Sequence, residues 1–193
     1  MELKNFPDVQ GSYGGNQSWF EKSLWAAGGC GVIASSNIYY YFKKENKIRK
    51  EDYMALARAL YYWLKPLHFF NPQIKEDTYG IISPGLWTQR SLRFFRLRGL
   101  FLEAKVFRFI RKRALVEAKR ALLKGQLPAI MVLGPPGSTP YVNHFMVITG
   151  FSGDRLIFST WGKRMELEFD ELAAPGIFFH LIVFKGVEDG TLL

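Results

Sequence analysis

The sequence predicts an α+β fold, and three observations carry that prediction. The chain has 193 residues, 48% of them hydrophobic, which is enough to bury one ordinary core and too little for two. Apolar residues at three-to-four spacing are confined to the stretch up to residue 123. Beyond it the pattern changes to short apolar runs divided by tight turns, as in an antiparallel sheet. Helices first and strands last is the α+β order. One domain over residues 1–193 is expected, helical over about 16–125 and sheet over about 126–186.

Gly11 to Gly15 reads as a flexible entry loop, and Ala26 to Gly29 as a second flexible stretch ending on Cys30. The run from Gly31 to Lys44 is expected to be a helix. Val32, Ile33, Tyr40 and Tyr41 supply its spacing, Lys43 and Lys44 suit its C-terminal end, and small residues at 34–36 allow close packing. Glu51 to Lys65 is a second helix, with an acidic start and Pro66 as its stop. Leu67 to Thr88 reads as irregular, and Gly80 to Arg98 as a turn followed by a short helix carrying Trp87, Leu92, Phe95 and Leu97. Leu100 to Phe107 suits a strand, and Arg113 to Leu123 a helix closed by Lys124-Gly125. The expected strands are then Pro128–Leu133, Asn143–Phe151, Arg155–Trp161, Arg164–Phe169 and Phe178–Lys185, with a Gly/Pro loop over Gly134–Pro140.

Composition excludes several function classes. One cysteine cannot form an internal disulfide or a Cys-rich zinc site. Histidines scattered at 68, 144 and 180 argue against a His-built metal centre, and no cofactor motif is visible. Met1 to Gly15 holds no apolar run and no stretch approaches 18 apolar residues, so no signal peptide and no membrane span are expected, with the cytoplasm as the default location.

Cys30 is the candidate nucleophile. It lies between Gly29 and Gly31 at the expected first turn of a helix, where bare backbone on both sides admits a substrate carbonyl. Helix-N-terminal amides favour thiolate and place the Cys30 N–H where an oxyanion forms. His144, at the head of an apolar strand, is the candidate base. His68 lies in a Pro-bounded aromatic patch and reads as packing, and His180 sits inside the last strand and reads as structural.

The order Gln17, Gly29-Cys30-Gly31, His144, then Ser159-Thr160-Trp161-Gly162 resembles the papain-like cysteine peptidases. More closely it resembles the bacterial branch akin to the double-glycine leader (bacteriocin-processing) peptidases. His144 to Gly150 matches that branch's H-x-x-x-x-x-G, and the run L-I-F-S-T-W-G over 156–162 resembles a strand ending in N-S-W-G. The resemblance spans roughly Gly14 to Leu172. It implies a papain-like fold and a thiol hydrolase cleaving a peptide or amide bond through a Cys30 acyl-enzyme. By the same resemblance Gln17 completes the oxyanion hole, and His144 pairs with Cys30 as an ion pair and then protonates the leaving group. Trp161 shields the residue that orients His144. That residue is usually Asn or Asp. Ungapped matching of the W-G places Ser159 there, and Thr160 if the turn shifts by one; a hydroxyl accepts from imidazole more weakly than a carboxylate. The alternatives are a papain-like acyl or amide transferase, and a catalytically weakened binding protein.

The net charge of +9 belongs to one segment. Arg90 to Arg120 holds eleven Lys/Arg and two Glu, and the other 162 residues balance. Phe94, Phe95, Phe101, Phe107 and Phe109 interleave with the basic residues. The segment reads as a solvated helix face, a surface for an anionic partner, or a border of the cleft that favours acidic peptides. No nucleic-acid motif accompanies it.

Overall fold

Two short strands open the chain, β1 (Asp8–Val9) and β2 (Ser12–Tyr13), with β3 (Lys47–Ile48) parallel to β1 in the same small sheet. The computed structural model describes residues 1–71, 76–81 and 83–187, and of residues 68–79 only the backbone. Helix α1 (Ser23–Gly28) leads through Gly29 into α2 (Cys30–Phe42), so the expected helix begins one residue earlier, on the cysteine itself. Helix α3 (Lys50–Leu64) starts with Glu51 and Asp52 in its first turn and ends at Lys65, whose left-handed φ of 50° turns the chain before Pro66.

The segment expected to be irregular contains an antiparallel hairpin, β4 (Leu67–Asn71) with β5 (Glu76–Gly80). The side chain of His68, expected to pack, lies outside the described residues. Helix α4 (Pro84–Arg96) is capped by Ser83 Oγ, which accepts from the Leu86 N–H at 3.2 Å, with Pro84 at its first position. Strand β6 (Leu102–Ile110) and helix α5 (Lys112–Leu123) follow. The C-terminal strands are β7 (Leu127–Leu133), β8 (His144–Ser152), β9 (Arg155–Thr160), β10 (Lys163–Glu168) and β11 (Phe178–Gly186), with a short helix α6 (Phe169–Leu172) before the last.

Six strands form one antiparallel sheet in the order β10-β9-β8-β7-β11-β6. Strand β6 joins from within the nominally helical part, so the layer boundary does not fall at residue 126. Alternation along the strands divides the core in two. Phe145, Val147, Ala129, Met131, Ile182 and Phe184 face α2, α3 and α4. Met146, Ile148, Ile130, Val132, Phe158 and Leu181 face α5 and α6.

Helix α2 is buried on nearly every side because it lies between the sheet and α3 and α4. Its small residues do what their size suggests. Ser35 Oγ meets Ser91 Oγ of α4 at 2.9 Å, and Ser36 Oγ donates to Val32 O, so a close helix crossing leaves no buried hydroxyl unpaired. Trp87 of α4 donates its Nε1–H to Gly31 O at 2.9 Å, which ties α4 to the first turn of α2.

The basic stretch of 90–120 is therefore not one face. It is distributed over α4, β6 and α5. On α5, Leu122 is fully buried while its neighbour Leu123 is 68% exposed. Leu122→Ala should lower unfolding free energy by about 2–5 kcal/mol and Leu123→Ala by less than about 0.5 kcal/mol, read from urea denaturation midpoints.

Candidate active site

Cys30 is the first residue of α2, and its side chain turns toward the head of β8. One crevice is lined by Gln17, Cys30, Asn37, His144, Thr160 and Trp161, among others, and leaves about 10 Å³ free, no more than one water requires. The structure thus brings the sequence-selected Gln17, Cys30, His144 and Ser159 to one crevice, although they are far apart in the chain.

The flanking glycines have an internal reason. A Cβ on Gly29 would stand 2.6 Å from Trp25 O and 2.9 Å from the Phe20 ring. One on Gly31 would press on Ile81, Phe145 and Trp87 at 3.1–3.4 Å. The bare backbone on both sides of Cys30 lets α1, α2 and the sheet close together.

His144 begins β8 after Asn143, which has a left-handed φ of 56° and donates its N–H to Val132 O at 2.8 Å. The imidazole Nε2 lies 2.7 Å from Thr160 Oγ1. Trp161 stacks on the ring at 4.6 Å and 25°, and Tyr141 stacks on Trp161. Trp161 can lie there because Trp161 and Gly162 both take positive φ, 49° and 72°, forming the two-residue turn between β9 and β10. Trp161 therefore covers the histidine itself.

The residue that meets His144 is Thr160 and not Ser159. Register explains the correction. Ser159 pairs with Val147 and shares its direction toward α2, whereas the next residue takes the other side of β9. Ser159 Oγ donates to Tyr13 O at 2.9 Å and accepts from Asn37 Nδ2 at 3.3 Å.

Gln17 lies in a single 3₁₀ turn, Gln17–Trp19, capped by Asn16. Its Nε2 donates to Ala26 O at 2.8 Å, which commits one of its two N–H donors and pins the amide beside the α1–α2 junction.

Asn37 escaped the sequence reading. It sits two turns after Cys30 and is buried. Its Oδ1 accepts from the Gly15 N–H at 3.0 Å and from Tyr53 OH at 2.7 Å, while its Nδ2 reaches Ser159. One side chain on the cysteine's helix thus holds the loop that carries Gln17 and the strand that carries Thr160. Gly14 and Gly15 are bare for this reason. A Cβ on Gly14 would stand 2.6–2.8 Å from Ser159 and Asn37, and one on Gly15 would overlap the Tyr53 ring. The available signal was an asparagine inside a helix, where it is unfavourable without a specific bond.

Electrostatics differ from the sequence expectation of a thiolate–imidazolium pair. Burial pushes the Cys30 thiol up from its ordinary range and outweighs the amides of Phe145, Gly31 and Cys30 that face the sulfur. Burial also pushes His144 down to about 4. At neutral pH the thiol and the imidazole are therefore both uncharged. His180 is not among the crevice residues; its Nδ1 accepts from the Phe109 N–H at 3.2 Å. Among the described residues no cluster of three His, Cys, Asp or Glu could hold a metal ion, and no helix is long and apolar enough to cross a membrane.

No family model and no curated protein matches the chain. Among solved structures, the crystal structure of a Bacillus anthracis protein provisionally described as a C39-like peptidase superimposes with a TM-score of 0.57 at 14% identity, covering 96% of this chain and 97% of that one. At this identity the likeness concerns the fold alone, an α+β papain-like arrangement.

Both pKa shifts make stability depend on pH. The unfolded chain protonates His144 near its ordinary value of 6.5 and the folded chain near 4. Its contribution is full above about 6.5 and is lost as pH falls through that window, by up to about 3 kcal/mol. The raised Cys30 thiol contributes fully below the ordinary thiol pKa and progressively less as pH rises above it. Urea midpoints followed across pH should show both limbs, with His144→Gln flattening the acid limb and Cys30→Ala the alkaline one. A wild-type profile flat between about pH 4 and 6.5 contradicts a desolvated imidazole.

Proposed function

We propose that the chain is a papain-like thiol hydrolase that cleaves a peptide or amide bond through an acyl-enzyme on Cys30, with residues 1–193 as one catalytic domain. The observation that carries this reading is the convergence of Cys30, Gln17 and His144 on one crevice, with His144 Nε2 tied to Thr160 Oγ1 at 2.7 Å.

The bond at Nε2 sets the proton inventory. With Nε2–H donated to Thr160, Nδ1 carries the lone pair and serves as the base. Because the resting pair is neutral, the thiol proton passes to Nδ1 as sulfur attacks the carbonyl carbon. The oxyanion is held by the Cys30 N–H and the uncommitted Gln17 N–H. Collapse breaks the C–N bond, and the imidazolium gives its proton to the departing amine, leaving a thioester. Water then attacks with His144 as base, and the thiol is restored. A transferase differs only in that an amine takes the place of water.

The narrow crevice supports small residues at the scissile bond. Together with the His144–Gly150 spacing, this supports the branch that trims leaders after two glycines. A single thiol suits a reducing compartment, and a cytoplasmic location belongs to the same reading.

Incubation with a peptide amide carrying Gly-Gly before a fluorogenic amine, followed by acid quench and intact-mass measurement, tests the reading. The expected result is amine release with an acyl adduct on Cys30, both abolished by Cys30→Ala and His144→Ala. Turnover that persists in Cys30→Ala, or no adduct and no release from a panel of peptide amides, overturns it. Thr160→Val should slow single-turnover acylation roughly tenfold, the value of one hydrogen bond to a developing charge. Ser159→Ala should act through stability and leave the pH profile of acylation in place.

A further inference from the structure

A second cavity shares no lining residue with the crevice at Cys30. It is a groove of about 520 Å³ between α5 and the β6–β11 pair, on the sheet face opposite α2. Lys105, Arg120, Lys124 and Lys185 provide its cations. Its two carboxylates are already engaged: Glu103 pairs with Lys185 at 2.9 Å, and Glu117 pairs with Arg113 and Arg120. Among the described residues, Lys105, Lys112 and Lys124 form no ion pair.

Arg120 and Lys124 also wall the outer face of α5, where Val116 and Leu123 are 52% and 68% exposed. These two aliphatic residues lie seven apart, two turns along one stripe, with Lys112, Lys119, Arg120 and Lys124 around them. The helix spends its other stripe, Ala114, Ala118, Ala121 and Leu122, on the core. The exposed stripe therefore has no packing role to explain it.

We propose that this face docks on an anionic lipid bilayer. Head-group phosphates occupy the cationic groove, and Val116 and Leu123 enter the interface between head groups and acyl chains. Charge complementarity selects an anionic partner. The aliphatic pair on a convex helix selects a bilayer over a nucleic acid, because the one ring lining the groove, Phe107, is half-buried and already covered by Lys105 and Arg113. The crevice at Cys30 shares no lining residue with the groove, so docking through α5 leaves it open. The inference is independent of the catalytic reading.

Co-sedimentation of the full chain with phosphatidylcholine vesicles, and with vesicles in which about a third of the lipid is phosphatidylglycerol, tests it. The expected result is binding to the anionic vesicles only, weakening as salt is raised. Each basic residue near such a surface is worth roughly fivefold in partitioning, so Lys112→Glu/Lys124→Glu should lose at least about 25-fold. Val116→Ser/Leu123→Ser should weaken binding while retaining its salt dependence. All four positions are exposed, and unchanged melting temperatures establish that the variants fold. Cys30→Ser should bind as the parent does. Equal binding to both vesicle types overturns the proposal. So does an unaltered affinity of Val116→Ser/Leu123→Ser together with equally tight binding of a single-stranded oligonucleotide or polyglutamate, which identifies a soluble polyanion as the partner.

Discussion

The burial of α2 on nearly every side governs the rest of the molecule. A helix with solvent on one side can present a cysteine at its N-terminus to water, where amides and the helix dipole favour thiolate. Here the sheet covers one side and α3 and α4 the others, so desolvation of the sulfur outweighs the amides. The same enclosure strips water from His144 and leaves the pair uncharged. It also demands glycine at 29 and 31 and serines where α2 crosses α4.

Burial also makes α2 the reference for the site's other parts. The loop of Gln17 and the strand of Thr160 have no covalent neighbourhood in common with Cys30. They meet it through Asn37, whose amide is satisfied at both ends by Gly15, Tyr53 and Ser159. A buried network with every partner present is rigid, and breaking one member leaves others unpaired at a cost of about 1–3 kcal/mol each. The asparagine that the sequence motif lacks beside the histidine is thus replaced by a division of labour. Thr160 touches the imidazole, and Asn37 holds the frame behind it.

Much of this was legible in the sequence. The α+β order, the C-terminal strands and the grouping of Gln17, Cys30 and His144 followed from periodicity, turns and motif resemblance. What escaped depended on relations between segments. The β4–β5 hairpin lies in a stretch whose Pro and Gly residues mask its alternation. The choice between Ser159 and Thr160 turned on which of them shares His144's face of the sheet, a matter of register that one strand's sequence does not carry. The thiol's protonation followed from the layers around α2, while local sequence carries only the amides. The basic segment looked continuous because charge was counted along the chain; in space α4, β6 and α5 divide it.

The sheet order has a consequence for how the chain reaches this structure. Among the described residues β11 is the last strand along the chain, yet it lies between β7 and β6, and β6 pairs with no other described strand. Strands β7 to β10 can pair as a meander of near neighbours while the chain is still emerging. Strand β6, with its aromatic and aliphatic side chains, has to wait across the whole intervening length. Long-range pairings of this kind raise contact order and slow folding, and an unpaired strand is a template for association with other chains. Lys105 and Arg108 on β6 are charges of the kind that discourage edge-to-edge pairing of a strand that has not yet found its partner.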